Sequence, residues 1–246
     1  MHREYKRIFE NANTAILFIH GIVGTPNHFR PFIELVPENV SVYNILLDGH
    51  GKGVRDFSMS SMKKWETQIH RAVEELAQDH NQIYIAAHSL GCLLAIEQAA
   101  CNLKITKLFL LAAPLKLSIK PDMFVNSMKV YFDKVSQDDP VATAAKECCG
   151  VTHSKNPLLY LGWTPRFLEL FAKICETRRL VNQIKIPCTA YQSAKDEMVG
   201  LAASKILQQN PIISVIELKN STHFYYDSKD LDFLKEKFSR FITESA

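Results

Sequence analysis

The sequence lacks several features that identify large classes of protein. Its most apolar stretch, Thr106 to Leu117, is too short to cross a bilayer. The charged residues 1–7 lack the apolar run of a signal peptide. No G-x-G-x-x-G or P-loop string occurs, and the basic residues are scattered rather than gathered in a stripe. We therefore expect no stable membrane insertion, no nucleic-acid partner and a cofactor-free mechanism.

Metal and redox motifs are also missing. None of the six cysteines stands in the C-x-x-C spacing of zinc and redox sites, and no cluster of histidines and carboxylates has the spacing of metal ligands. We expect no metal, and we interpret the cysteines as reduced thiols in a cytoplasmic protein. A disulfide between the adjacent Cys148 and Cys149 is the alternative. The sequence leaves the oligomeric state open, a homodimer included.

What remains is an ordinary globular composition. The chain has 246 residues, of which 47% are hydrophobic and 22% charged, with a net charge of +3. This length suits one domain with an elaboration, and a core of this size needs no disulfides to stabilise it.

Short apolar runs alternate with helical patterns over the first part of the chain. The predicted strands are Ala15 to Ile19, Val40 to Leu47, Ile83 to Ala87 and Lys107 to Ala113. The predicted helices are His28 to Val36, a long amphipathic helix that begins at Ser60, and Leu90 to Ala100. This alternation is typical of a parallel sheet wrapped by helices, so we expect an α/β fold.

The alternation stops between Pro114 and Ile186, where no clear strand is seen but helical, apolar patches are. A structureless loop of this length is implausible, which predicts an inserted helical cap over residues 114–186. Residues 1–113 and 187–246 then form the core domain. The last strands are predicted at Pro187 to Gln192 and Ile212 to Leu218, and the last helices at Leu201 to Gln208 and Asp230 to Phe241.

A candidate nucleophile lies at one of the strand–helix junctions. Ala87-His88-Ser89-Leu90-Gly91 matches the nucleophile elbow G-x-S-x-G, with alanine in place of the first glycine. The flanking positions must be small because strand and helix approach each other closely there, and alanine is the next smallest residue. The alternative is an ordinary serine at the start of a helix, where it acts as an N-cap.

Two more candidates follow later strands in the order that an elbow serine requires, which is serine, acid, histidine. Asp196 comes just after the Pro187 strand and His223 just after the Ile212 strand. A neutral histidine would take the serine proton, and the carboxylate would orient the imidazole. Glu197 is the second choice for the acid. Among other rivals, Asp227 comes in the wrong order, His88 should point away from Ser89, and His50 is expected to shape a loop.

Acyl transfer also needs two N–H donors for the oxyanion of its tetrahedral intermediate. Leu90, directly after the nucleophile, is one candidate donor. The loop His20-Gly21-Ile22-Val23-Gly24-Thr25 follows the first strand, and the N–H of Ile22 is the second candidate. A plain glycine turn is the alternative, and His20 itself is expected to be structural.

Taken together, these residues resemble the α/β-hydrolase superfamily, and most of all its small carboxylesterases and monoacylglycerol lipases. The marks that carry the resemblance are His20-Gly21 with Gly24, Asp48-Gly49-His50-Gly51, His88-Ser89-Leu90-Gly91, Asp196 and His223. The chain departs from the family at Ala87, where glycine is usual, and at Asp48, where proline is frequent. The resemblance implies the α/β-hydrolase fold, a helical cap and serine esterase activity.

The cap is rich in large apolar side chains, which predicts a pocket for a small acyl ester of short-to-medium or monoacylglycerol-like kind. The candidate substrate-binding residues are Met123, Phe124, Met128, Phe132, Leu159, Trp163, Phe167 and Phe171. The alternative is that most of them form the cap's own core. Thioesterase, aminopeptidase and C–C hydrolase activities would use the same triad, and a non-catalytic ligand-binding protein on this scaffold also stays open.

Overall fold

A computed structural model describes residues 2–244; Met1, Ser245 and Ala246, which the predicted core domain includes, lie outside the described residues. The strands are β1 (Tyr5–Arg7), β2 (Thr14–Ile19), β3 (Val40–Ile45), β4 (Lys52–Gly53), β5 (Gln82–His88), β6 (Ile105–Leu111), β7 (Val151–Thr152), β8 (Cys188–Ser193) and β9 (Ile213–Leu218). The α-helices are α1 (Arg30–Ile33), α2 (Val54–Ser58), α3 (Met62–Asp79), α4 (Leu90–Cys101), α5 (Pro121–Tyr131), α6 (Pro140–Glu147), α7 (Thr164–Leu180), α8 (Ala202–Leu207) and α9 (Ser228–Thr243).

Seven strands form one sheet in the order β1-β3-β2-β5-β6-β8-β9. All neighbouring pairs are parallel except β1 with β3. The carboxyl ends of the six parallel strands therefore share one edge, where open α/β sheets bind their ligands. This is the predicted mostly parallel sheet flanked by helices.

The two faces of the sheet carry separate apolar cores, because successive side chains of a strand point to opposite faces. On β2, Leu17 and Ile19 belong to the core shared with α3, α4 and α7. Ile16 and Phe18 belong to the other core, which includes Phe238 of α9. Helix α4 is buried almost all round, since it lies between the sheet and α7.

The structure differs from the prediction at one helix and two short strands. The helix predicted from His28 to Val36 is a 3₁₀ turn at Pro26–Phe29 followed by the single turn of α1, and it ends at Ile33. The region predicted to hold no strand contains β7, which pairs with β4 as a separate two-stranded sheet. Such two-residue pairings arise from tertiary contact and leave no periodic pattern in the sequence. The antiparallel edge strand β1 was not predicted.

Residues 114–186, called here the inserted segment, contain α5, α6 and α7. Helix α7 is anchored on the core by Leu170 and Ile174, which join the core that includes α3 and α4. The buried ammonium of Lys173 reaches Glu66 at 2.8 Å and Glu97 at 2.7 Å. Helix α5 is different, because all of its side chains keep some solvent exposure.

The inserted segment is also hydrogen-bonded to two loops at the carboxyl edge of the sheet. Ser118 N–H donates to the carbonyl of Met198 at 2.9 Å, and Lys120 N–H donates to the carbonyl of Glu197 at 2.8 Å. At a second point, Gly150 N–H donates to the carbonyl of Val23 at 2.7 Å. A Cβ at Gly150 would collide with the carbonyl of Gly24, so only glycine fits this contact.

Candidate active site

Ser89 lies at the sharp turn between β5 and α4, in a conformation that side-chain-bearing residues rarely adopt. Its φ is 53° and its ψ is −122°. Such strain is found mainly at functional sites. The serine makes no side-chain capping hydrogen bond to α4, which disfavours the N-cap interpretation. The turn is tight enough that a Cβ at Gly91 would collide with the carbonyl of Ile19.

The structure brings Ser89, His223 and Asp196 into one line. His223 Nε2 lies 3.2 Å from Ser89 Oγ, and His223 Nδ1 lies 2.8 Å from Asp196 Oδ2. Both His223 and Asp196 are 1% exposed and Ser89 is 6% exposed. The two contacts span 134 and 27 positions of the chain, so the fold and not local sequence assembles them.

The carboxylate decides the tautomer of the imidazole. An ionised carboxylate only accepts hydrogen bonds, so Nδ1 carries the proton and the Nε2 lone pair faces the serine hydroxyl. Burial lowers the pKa of His223, but the charge of Asp196, its hydrogen bond and the charge of Glu197 together outweigh burial and raise the pKa above its ordinary value. Such a histidine suits a base that must become an imidazolium for part of a cycle.

Asp196 is itself held in place by backbone donors. The N–H groups of Met198 and Val199 both donate to its Oδ1 at 2.7 Å, which leaves Oδ2 for the imidazole. The neighbouring Glu197 does not reach the imidazole nitrogens. Its Oε2 accepts the backbone N–H of His223 at 3.1 Å instead.

The predicted oxyanion loop lies against the serine. A Cβ at Gly21 would be 2.9 Å from Ser89 Cβ, so the loop passes the nucleophile as closely as a side-chain-free residue allows. Val23, in the same loop, has a φ of 55°, and Gly24 N–H closes the turn onto the carbonyl of Gly21 at 3.0 Å. Ile22 is buried in this turn. Leu90 is the first residue of α4, where the N–H has no acceptor one turn earlier.

His20, His50 and Asp227 make structural contacts outside the predicted triad. His20 Nε2 accepts the N–H of Leu47 at 3.1 Å, and His50 Nδ1 lies 3.2 Å from the carbonyls of Leu47 and Asp48. Asp227 is the N-cap of α9 and accepts the N–H of Lys229.

His88 and His28 occupy a buried cluster behind His223. His88 Nε2 lies 2.9 Å from the carbonyl oxygen of His223, and the rings of His88 and His28 are 3.9 Å apart. His28 Nε2 contacts Tyr226 Oη at 3.0 Å. Burial and the neighbouring His223 lower the pKa of His28 to about 3, and burial with the neighbouring imidazoles lowers the pKa of His88 well below its ordinary value.

The eight predicted substrate-binding residues divide into two groups. Leu159, Trp163 and Phe167 pack against the core. Phe124, Met128, Phe132 and Phe171 are each about half exposed, and Met123 is partly buried.

A cleft of about 380 Å³ is lined by chain neighbours of the predicted acid and base, although not by Asp196 or His223 themselves. On α5, the residues that line it lie on a different face from the predicted Met123, Phe124 and Met128. The lining residues are Asp122, Val125, Asn126, Lys129, Val141, Lys195, Glu197 and Thr222. The assignment of the eight residues to substrate stays a prediction.

Within residues 2–244, no three histidine, cysteine or carboxylate side chains are grouped so that they could hold a metal ion. Over the same residues, no helix is long and apolar enough to span a membrane. The six cysteines, all in the described part of the chain, are free thiols, including Cys148 and Cys149.

Sequence reasoning missed the contacts of Glu197 and His88 with the main chain of His223. From the sequence, both residues are only rivals for the acid and the base. The one available signal was that each residue is next to a catalytic candidate in the chain, Glu197 to Asp196 and His88 to Ser89.

Comparisons with known proteins identify a family and similar folds. The model of a family described as the alpha/beta hydrolase family matches residues 16–236. A thermostable monoacylglycerol lipase of Bacillus sp. (strain H-257) is 22% identical over 243 residues, which cover 96% of this chain and 93% of the relative.

Solved structures share the same fold over almost the whole chain. A structure reported for the metagenome-derived lipolytic enzymes LipS and LipT superimposes with a TM-score of 0.73 at 18% identity, covering 98% of this chain and 97% of the other. The monoacylglycerol lipase of Paleococcus ferrophilus superimposes with a TM-score of 0.70 at 18% identity over 100% of both chains. The predicted fold is confirmed.

Proposed function

We propose, from the premise that this chain belongs to the alpha/beta hydrolase family, that it is a serine carboxylic ester hydrolase with Ser89, His223 and Asp196 as its triad. The observation that carries the proposal is the buried line from Ser89 Oγ through both nitrogens of His223 to Asp196 Oδ2. The family and the lipase and esterase relatives support ester hydrolysis as the reaction.

In the first half-reaction, Ser89 Oγ attacks the ester carbonyl while its proton passes to His223 Nε2. Asp196 stabilises the imidazolium that forms and keeps its own charge. The backbone N–H groups of Ile22 and Leu90 hold the oxyanion. Burial of the site excludes water and so strengthens their interaction with the negative charge. The intermediate collapses to an acyl-serine ester, and His223 returns the proton to the departing alcohol.

In the second half-reaction, water attacks the acyl-serine. His223 takes a proton from this water, the same two N–H groups hold the second oxyanion, and the carboxylic acid leaves as Ser89 Oγ recovers its proton. One ester and one water thus become one acid and one alcohol, and the enzyme returns to its starting state.

The inserted segment is proposed as a helical cap that supplies the acyl-binding wall for short-to-medium or monoacylglycerol-like esters. Its support is a set of half-exposed apolar side chains, with Phe124 and Met128 on α5, Phe132 directly after α5 and Phe171 on α7. Exposed apolar patches of this kind commonly mark binding surfaces. The packed Leu159, Trp163 and Phe167 would form the base of this wall.

The proposal is tested with a p-nitrophenyl ester series from acetyl to palmitoyl, measured for the native protein and Ser89→Ala side by side. Loss of the nucleophile is expected to lower kcat by up to about 10⁶-fold. The chain-length optimum then reports the size of the acyl pocket. Ester turnover by Ser89→Ala at the native rate would refute the nucleophile assignment.

A fluorophosphonate probe separates an enzyme from a binding protein on the same scaffold. The native protein should be labelled at Ser89, as read by mass spectrometry of the modified peptide, and Ser89→Ala should not. Labelling without ester turnover would direct the search to thioesters, amides and C–C bonds. A protein that neither turns over esters nor reacts with the probe would contradict the proposed activity.

A further inference from the structure

Both main-chain polar groups of His223 are held by buried side chains. Glu197 Oε2 accepts the N–H of His223 at 3.1 Å, and His88 Nε2 lies 2.9 Å from its carbonyl oxygen. Glu197 is 5% exposed and His88 is 1% exposed. Burying a carboxylate or an imidazole costs free energy unless the group is hydrogen-bonded. Two such side chains on the main chain of one residue therefore suggest a functional role for these hydrogen bonds.

The chemistry of each contact is unambiguous. A carbonyl only accepts, so His88 must donate from Nε2 and is the Nε2–H tautomer. Burial keeps this imidazole neutral, because it lowers the pKa of His88 well below the ordinary value. On the other side, an ionised Glu197 is a strong acceptor for an amide N–H.

The two side chains approach His223 from different elements. His88 is the last residue of β5, directly before the nucleophile, and Glu197 directly follows Asp196 in the loop after β8. The main chain of His223 is therefore tied to the elements that carry the other two members of the triad. Any shift of the His223 loop relative to Ser89 or Asp196 would break one of these hydrogen bonds.

We propose that Glu197 and His88 are positioning residues that clamp the main chain of His223 and so keep its imidazole in line between Asp196 and Ser89. The inference rests on the proposed function, since it assigns these two residues to the triad's base. Neither residue touches the reacting atoms. Their effect is geometric, because a reacting group displaced by about 1 Å can lose about 10²-fold in rate.

Glu197 also has an electrostatic effect that a purely structural residue would lack. The groups that face His223 are Asp196 and Glu197 from the β8–α8 loop, Ser89 and His88 from the end of β5, and His28 from the turn after β2. Of these, Asp196 and Glu197 supply the negative charges that raise the pKa of His223. Neutralising Glu197 should lower that pKa, so the base stays unprotonated to lower pH.

The first experiment compares Glu197→Met, which removes the acceptor, with Glu197→Gln, which keeps an acceptor oxygen and removes the charge. Glu197→Met should lower kcat about 10- to 100-fold with KM within about twofold. Glu197→Gln should recover most of this loss, and the acid limb of its kcat/KM profile should move to lower pH. Glu169→Gln is the matched control, because its carboxylate also accepts a backbone N–H, that of Met62, and lies in α7 away from the triad.

The second experiment compares His88→Phe, which keeps a ring without a donor, with His88→Gln, whose amide nitrogen can donate at the Nε2 position. The phenylalanine variant should lose about 10-fold or more in kcat, and the glutamine variant should lose less. Thermal unfolding of each variant establishes that it is folded before its rate is read.

Two results would overturn the proposal. One is kcat within about twofold of native for both Glu197→Met and His88→Phe. The other is a kcat/KM profile of Glu197→Gln whose acid limb lies at the same pH as in the native protein and in Glu169→Gln. This second result is available even if Glu197→Met does not fold. Both are read against a native protein that hydrolyses esters and a Ser89→Ala variant that does not. Absence of native turnover and of fluorophosphonate labelling would count against the proposed function itself.

Discussion

The core and the inserted segment use the same kinds of apolar residue in opposite ways. In the core, Phe109 is 1% exposed and its ring meets those of Phe32, Tyr191 and Phe238 within 6.0 Å. In the inserted segment, Phe124 is 60% exposed. The core thus uses its aromatic rings for stability, whereas the inserted segment packs Trp163 and Phe167 on the core and leaves Phe124 and others exposed.

The polar groups follow the same division. Every proposed member of the triad is buried and hydrogen-bonded at a strand end of the core. In the inserted segment, the ion pair of Lys146 with Asp133 lies largely in solvent. Under the proposed function, the core would hold the reacting groups rigidly and the inserted segment would supply the surface for a substrate.

The largest expected difference between the regions is catalytic. Asp196→Asn leaves the packing intact but permits the wrong histidine tautomer, so kcat should fall about 10⁴-fold. Asp133→Asn makes the same change in the inserted segment and should leave kcat unchanged. Steady-state hydrolysis of one p-nitrophenyl ester measures both. An equal loss of kcat in the two variants would contradict the assignment of catalysis to the core alone.

The next difference is in stability. Phe109→Ala should lower the free energy of unfolding by about 3–5 kcal/mol, because it removes a large side chain from a packed core. Phe124→Ala should change it by no more than about 0.5 kcal/mol, since exposed side chains contribute little. Urea unfolding followed by circular dichroism provides both values. A large loss for Phe124→Ala would mean that its side chain is buried in solution.

Acid should destabilise the core through its buried histidines. The pKa of His28 is lowered to about 3 in the folded protein, from an ordinary value of 6.5. Between these values the unfolded chain binds more protons, so stability is full above pH 6.5 and falls as the pH falls. His28 alone should cost about 2 kcal/mol at pH 5.

The measurement is urea unfolding at pH 7 and pH 5. His28→Gln should reduce the difference between the two, and His70→Gln, at an exposed position of α3, should not. If the pH dependence of His28→Gln matched that of the native protein, the imidazole would not be titrating in the way that its burial implies.

The smallest expected effect concerns the inserted segment. Phe124→Ser combined with Phe171→Ser should raise KM for long-chain esters about 3- to 10-fold, because partial burial of the two rings together against an acyl chain is worth about 1 kcal/mol. KM for the acetyl ester and the midpoint of thermal unfolding should stay unchanged. Lys146→Ser, an exposed change at the end of α6, is the control. A uniform rise in KM over the whole ester series would argue against an acyl wall on this surface.

Much of the core could be predicted from the chain alone. Strands β2, β3, β5, β6, β8 and β9 were predicted to within two residues at both ends. For β2 and β5 the reason is that strands buried on both faces are almost continuously apolar. The elbow at Ser89 and the positions of Asp196 and His223 after their strands are also local patterns. The helix predicted at His28 was less well placed, since a 3₁₀ turn and a single α-helical turn share its composition.

The sequence by itself therefore determined the layered architecture and the residues proposed for the triad, since each depends on short-range periodicity or on chain order. Only the tertiary structure decided that Glu197 and His88 meet His223, from 26 and 135 positions away. It also decided that α5 turns Asp122, Val125 and Lys129 toward the loops of the proposed triad. Periodicity tells which side of an element is apolar, but which element that side meets depends on packing between segments distant in the chain.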